Sequence, residues 1–259
     1  MIRIVGWNIR AGGGKRVEGI FDQLVRWRPD VVVLSEFRGT PASQLLAQWL
    51  KTIGLNHQQM CINEAKLATN GLLVASRFPL EAVVLQDAPK APYRWLLVEV
   101  KGKRLPPFRG GEPFTLGGMH IPNSVTGKKK PYHEAVAKLA QQWTLGPGIL
   151  IGDTNSGMPH IDEESRAFGK QEQQWLESLA AAGWADLFRH HHGDKRAYTW
   201  YSPNKGNGFR LDQAFANPQL LPDVVDCWYE WGQMGDDNGR YRRDILSDHA
   251  AIIVELTGF

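Results

Sequence analysis

Short apolar runs recur along the whole chain, and they limit its fold more than any other feature. They fall at 2–5, 31–34, 72–75, 95–100, 114–119, 149–151, 209–215, 224–231 and 250–256. Each has the length of a strand, and several are apolar at every position, as strands covered on both faces are. Helical spacing appears between some of them. Residues 17–26 carry Val17, Ile20, Phe21, Leu24 and Val25 on one face, and 41–53 starts with a proline just after Thr40, a sound N-cap. Residues 132–143 and 172–182 read as two further helices. No low-complexity linker or short repeat divides the 259 residues, so the expectation is one α/β domain over 1–259, with two sheets packed together and helices outside.

Bulk properties exclude some classes. The formal net charge of +3 allows a polyanionic partner without demanding one. Two cysteines, Cys61 and Cys227, read as two buried thiols rather than a disulfide, and no CxxC pair exists to hold zinc. MIRIVGWNIR is too interrupted for a signal peptide, and no run approaches the ~20 apolar residues of a membrane span. The expectation is a cytoplasmic monomer with no membrane contact and no obligate protein partner. Residues 101–113, 124–131 and 232–244 read as exposed loops, the first two basic and the third mixed in charge. His190, His191 and His192 stand beside Gly-Asp-Lys-Arg and read as part of a solvated loop rather than a metal site.

The ends of the apolar runs carry the chemistry. In ILIGDTNSG (149–157), Asp153 and Asn155 lie two positions apart, and an extended chain turns such residues to one side. An Asx-turn is an equal reading. Asn8, Glu36, His120, Asp248 and His249 stand at the ends of other runs, and Asp212 lies within 209–215. Asp212 amid Phe209, Leu211 and Phe215 needs a partner if buried, and His249 is the obvious one. Glu36 and Asp248 are hard oxygen donors suited to Mg²⁺ or Mn²⁺. Asp153 can activate a water, and Asn8, Asn155, His120 and His249 can stabilise oxyanion charge. Hydrolysis of a phosphate ester needs these parts.

The segments GWNIR (6–10), VVVLSEFRG (31–39), NGLLVASRFPL (70–80), GGMHIPN (117–123), LIGDTNSG (150–157), FRLDQAFANP (209–218) and LSDHAAIIVEL (246–256) resemble, in order, the endonuclease/exonuclease/phosphatase superfamily. The resemblance covers nearly the whole chain. It implies a four-layer α/β sandwich, with two packed mixed sheets flanked by helices, and a divalent-metal phosphodiesterase or phosphatase. It implies that Glu36 holds the metal with Asn8 beside it and a further contact from Asp248. Asp153 is then the base, Asn155 and His120 bind the phosphate, His249 stabilises it or protonates the leaving oxygen, and Asp212 orients His249.

For the substrate, GWADLFRHHHGDKRAYTWYS resembles the exonuclease III-type repair enzymes, where aromatic side chains pack on the deoxyribose of an abasic site; Trp200 and Phe209 hold those positions. His120 stands where that group usually has Tyr, and resembles the deoxyribonuclease I, sphingomyelinase and inositol-phosphatase branches. NIRAGGGKR also departs from the usual pattern around Arg10. Arg10, Asn123, Lys128 and Lys129 complete the expected substrate contacts, with the basic segments 101–109, 128–130 and 240–243 set to meet phosphates. The reading is a Mg²⁺- or Mn²⁺-dependent DNA nuclease of little base specificity. The alternatives are a phosphatase or phosphodiesterase on a small metabolite or phosphoinositide, and a non-catalytic nucleic-acid-binding module.

Overall fold

The computed structural model describes residues 1–102, 113–232 and 246–257. Most of 101–109, and all of 240–243, therefore lie outside the described residues.

The apolar runs pair into two six-stranded mixed sheets. The first is built from β1 (Ile2–Asn8), β2 (Val31–Phe37), β3 (His57–Cys61), β4 (Gly71–Ser76), β13 (Val224–Glu230) and β14 (Ala251–Leu256), in the order β13-β14-β1-β2-β4-β3. The second is built from β5 (Leu80–Ala82), β6 (Trp95–Val100), β7 (Phe114–His120), β8 (Gly148–Asp153), β9 (Ala185–Asp186) and β12 (Asp212–Ala216), in the order β5-β6-β7-β8-β12-β9. A two-residue pair, β10 (Trp200–Tyr201) with β11 (Gly208–Phe209), stands apart.

Alternation along β1 shows why the layers form. Ile2 and Ile4 point between the sheets, where they meet Val33, Val98, Leu116, Ile151, Val254 and the apolar face of α5 (Leu187–His192). Val5 and Trp7 point the other way, onto α1 (Val17–Trp27) and α2 (Pro41–Thr52). On the far side, α3 (Lys129–Gln141) and α4 (Lys170–Ala181) bury Tyr132, Val136, Trp175 and Leu179 against Met119, Leu150 and Phe215. Three apolar layers thus separate four layers of structure, each large side chain contributing about 1.5–3 kcal/mol by burial. The sheets pack closely at Gly6, where an added Cβ would lie 2.9 Å from Ile151 of the opposite sheet.

Topology sends the polar ends to one edge. β1 runs parallel to β2, and β7 parallel to β8. Their C-terminal ends deliver Asn8, Glu36, His120 and Asp153. β12 and β14 run antiparallel to these neighbours, so they begin at that same edge, at Asp212 and just after His249.

Several expectations need correction. The run 209–215 is not one strand: it breaks at Arg210–Leu211, because the buried Arg210 turns its guanidinium onto Asp162 with bonds of 2.7 and 2.9 Å. The segment 124–131 is not a continuous loop. It holds a 3₁₀ turn, Ser124–Thr126, and α3 starts at Lys129, since Pro131 falls in its first turn, where a missing N–H costs nothing. The histidine triplet lies on α5, capped by Asp186, whose Oδ1 accepts the Arg189 N–H at 3.2 Å. β3 (HQQMC) was missed because a polar edge strand has no apolar run to announce it. Cys227 is a buried free thiol, whereas the free thiol of Cys61 is only half-buried. No described helix is long and apolar enough to cross a membrane.

Candidate active site

Asp153 ends β8 and is 2 % exposed. The residue before it, Gly152, has a φ of +147° and carries its Cα so near the Met119 carbonyl that a Cβ would sit 2.0 Å from that oxygen. Asn8 Nδ2 donates to Asp153 Oδ2 at 2.9 Å, while Asn8 Oδ1 accepts the Arg10 N–H at 2.9 Å. Both ends of the Asn8 amide are thereby engaged, and Asn8 acts on Asp153 directly. Burial pushes the Asp153 carboxyl up to about 7; His249 opposes the rise and Asp212 adds to it.

Asp153 and Asn155 do share one site, but by the turn rather than by strand alternation. The strand stops at Asp153, the Asn155 N–H donates to Asp153 Oδ1 at 2.9 Å, and Asn155 has a φ of 46°. This is an Asx-turn. The amide of Asn155 donates to the Ile121 carbonyl at 2.8 Å, which turns its side chain toward β7 and the residues after it.

His249 and Asp212 meet as the sequence expects, Nδ1 to Oδ2 at 2.9 Å, both buried. Burial works against a charge on His249, yet Asp212, Asp153 and Asp248 together lift it to about 10. His120 behaves in the opposite way. Burial, then Arg94 and His249, hold it well below the ordinary imidazole range. Its Nε2 lies 3.7 Å from Asp153 Oδ2, and its buried Nδ1 has no hydrogen-bond partner.

Glu36 sits where the pairing of β2 with β4 slips, between Ser35 and Phe37, with a φ of 57°. That bulge turns its carboxylate to the cavity, and the Ala11 N–H donates to Oε2 at 2.6 Å. Asp248 accepts from Trp200 Nε1 at 3.3 Å.

Glu36, His120, Asp153, Asn155, Asp248 and His249 line a cavity of about 540 Å³ together with Asn123, Lys129, Trp200 and Phe209, while Asn8 and Asp212 stand behind its wall, bonded to Asp153 and His249. Two of the expected substrate contacts lie elsewhere. Arg10 does not line the cavity, and Lys128 lines a separate groove beside Lys90 and Lys138. Lys129 lines the cavity but is buried and paired with Glu172 at 2.7 Å, so it is no free surface cation. Sequence reasoning missed Asn70, Arg94 and Phe168, which also line the cavity. For two of them a signal existed. β4 starts at Gly71 and β6 at Trp95, both antiparallel to strands that end at the site, so the residue before each reaches the same edge.

The donor chemistry fits a hard divalent cation, since Glu36 and Asp248 offer carboxylate oxygens to the cavity. Asp153, Asp212 and His249 also bring ligand atoms within 4.8 Å of one another. The Nδ1 of His249 is already committed to Asp212 and its charged form is favoured, so that group reads as an acid–base set.

Carboxylates, amides and histidines thus gather at one edge of a four-layer α/β sandwich. The chain belongs to the Endonuclease/Exonuclease/phosphatase family, whose model matches residues 5–249. It is 28 % identical over 151 residues to Recombination repair protein 1 of Drosophila melanogaster, covering 49 % of this chain and 22 % of that protein. It is 25 % identical over 168 residues to an exodeoxyribonuclease of Streptococcus pneumoniae, covering 56 % of each. The chain thus spans about a fifth and just over half of the length of these curated relatives. Its fold matches an AP endonuclease from Archaeoglobus fulgidus with a TM-score of 0.78 at 20 % identity, over 99 % of both chains. It also matches a 3′ phosphatase from Neisseria bound to a product DNA hairpin, with a TM-score of 0.77 at 19 % identity over 99 % of this chain and 100 % of that one.

Proposed function

We propose that this chain is a divalent-metal-dependent phosphodiester hydrolase acting on DNA, with residues 1–259 as one catalytic unit. The observation that carries the reading is the convergence in one cavity of Asp153, held by Asn8, and His249, held by Asp212. The exodeoxyribonuclease and the DNA-bound phosphatase among its relatives support DNA as the substrate.

Burial raises the Asp153 carboxyl above the ordinary carboxylate range, which makes it a stronger base toward water. Asn8 and the Asn155 N–H each hold one oxygen of that carboxylate, which fixes its orientation in the cavity. Asn155 and neutral His120 bind phosphate oxygens, each from a backbone-anchored position. His249, kept charged by Asp212, stabilises the phosphate and gives its Nε2 proton to the leaving oxygen. Trp200 and Phe209, whose rings lie 5.9 Å apart, form a wall for the sugar. Glu36 and Asp248 would hold Mg²⁺ or Mn²⁺, which supplies charge neutralisation for the phosphate when bound.

The test is cleavage of plain duplex, single-stranded and abasic-site duplex DNA, and of bis-p-nitrophenyl phosphate, in Mg²⁺ with and without EDTA. Metal-dependent DNA cleavage that Asp153→Ala abolishes is expected. Cleavage of the small ester alone would overturn the nuclease reading in favour of a small phosphoester, and tight DNA binding with no turnover in any metal would leave a binding module. Under the same reading, Glu36→Gln moves the Mg²⁺ titration to higher concentration, and an unchanged titration removes Glu36 from the metal.

A further inference from the structure

The catalytic cavity has a neighbour of similar size. A groove of about 580 Å³ adjoins it, lined by His160, Arg166, Phe168, Lys170, Gln173 and Gln174. Phe168 lines both cavities, so the two adjoin on either side of one half-buried ring.

The wall between them is built rather than loose. Phe168 packs on Gly157, where an added Cβ would lie 2.5 Å from the ring, and it meets Phe209 edge-on at 5.8 Å. Glu163 Oε2 accepts the N–H groups of Ala167 and Phe168 at 2.6 and 2.8 Å, and Oε1 accepts that of His160 at 3.1 Å. Asp162, fully buried, is gripped by Arg189 and Arg210. The segment that carries the groove is therefore anchored to the residue two positions before Asp212.

The groove's chemistry is that of a strand-binding surface. Arg166 and Lys170 are exposed, and no described carboxylate lies within ion-pair distance of either, while Glu177 is the one acid on the lining. An aromatic face beside unpaired cations and side-chain amides suits a flexible nucleic-acid strand: rings stack bases, cations track phosphates and amides meet base edges.

We infer that this groove is an accessory subsite for a single polynucleotide strand, holding the nucleotides on one side of the cleaved phosphate, with Phe168 as the stacking partition. The inference rests on the nuclease reading and extends it: the enzyme grips its strand beyond the reacting nucleotide, so affinity depends on strand length.

The test is fluorescence anisotropy in EDTA with fluorescein-labelled strands of four and of twelve thymidines, comparing the wild-type chain with Arg166→Glu/Lys170→Glu. Both sites are exposed, and an unchanged Tm confirms that the variant is folded. The twelve-residue strand is expected to bind about tenfold more weakly to the variant and the four-residue strand less than twofold. The slope of log K against log salt should fall by about 1.4, two phosphate contacts at ~0.7 each for single strands. An unchanged affinity and slope, or equal weakening at both lengths, overturns the subsite. Equal competition by polyglutamate would reassign the groove to an acidic protein partner and overturn it too. If wild-type protein cuts DNA while the variant binds like it, only the groove fails. If wild-type protein hydrolyses the small ester and binds neither strand, the nuclease reading fails with it.

Discussion

His249 holds its charge against burial because three carboxylates surround it, and Asp212 alone touches it, at 2.9 Å. Asp212 therefore fixes which imidazole nitrogen faces the cavity. Asp212→Asn keeps the shape but can present the wrong hydrogen to Nδ1, which favours the wrong tautomer. Turnover should fall by about 10²–10⁴-fold with KM changed less than threefold. Steady-state kinetics on DNA check it, and a loss confined to KM would assign Asp212 to substrate binding. The sequence revealed this pair because an acid flanked by Leu211, and near Phe209 and Phe215, has few ways to be buried. It could not reveal the second engagement of Asn8, whose amide is turned by the Arg10 N–H. Nor could it show that Lys129 is spent on Glu172, since that contact joins residues 43 positions apart.

At the scale of elements, the site depends on places where regular structure is interrupted. Arg10, Ala11, Gly12, Gly13 and Gly14 all have positive φ, so the chain makes a left-handed turn after β1. For Arg10 and Ala11 such backbone costs on the order of 1–3 kcal/mol each, offset by bonds such as Ala11 N–H to Glu36 Oε2. The glycine run announced a turn, but the matching bulge at Glu36 left no trace in VVVLSEF, where the apolar run ends at Leu34 and the strand goes on to Phe37. The break before β12 was equally hidden, because Arg210 looks like any exposed cation until its partners are seen. Buried at 1 % exposure, it bonds Asp162, Asp186 and the Tyr229 hydroxyl, and Tyr229 in turn donates to the Asp212 carbonyl at 2.7 Å. Arg210→Met would leave Asp162 and Asp186 facing each other without a cation between them, although Arg189 still reaches Asp162. A loss of about 3–5 kcal/mol in unfolding free energy is expected, read by urea denaturation. A loss below about 1 kcal/mol would show that the clamp is dispensable and that β12 is held by its sheet contacts alone.

Across the whole molecule, the four layers were legible because the burial of the central strands follows from their apolar residues, and the sheet order then places their functional ends at one edge. What pattern alone did not give is the polar packing between α3, α4 and the turn after β8. There His133 stacks on Trp175 at 4.4 Å and bonds Ser156 Oγ at 3.0 Å, with Nδ1 buried and unpartnered. Burial, then Lys129, push His133 down to about 3, with Glu172 opposing. A folded-state pKa below the unfolded value of about 6.5 means that only the unfolded chain takes up this proton between those limits. Its contribution to stability is therefore complete above pH 6.5 and is lost as pH falls toward 3. At pH 5 the linkage from His133 amounts to about 2 kcal/mol relative to pH 7. His120, also depressed, acts in the same direction, whereas Asp153, raised to about 7, gains stability as it protonates. His249, raised to about 10, also gains stability until pH has fallen through the unfolded value, so the wild-type curve alone mixes several groups and a difference isolates one. His133→Phe keeps a ring for the stack on Trp175 and removes the titration. The loss of unfolding free energy between pH 7 and pH 5 should be smaller in the variant by about 2 kcal/mol, even though the lost Ser156 bond lowers its stability at both. Parallel curves for the two proteins over that range would show that His133 titrates alike in the folded and unfolded chains, and that the turn carrying Asn155 is not braced by a neutral imidazole.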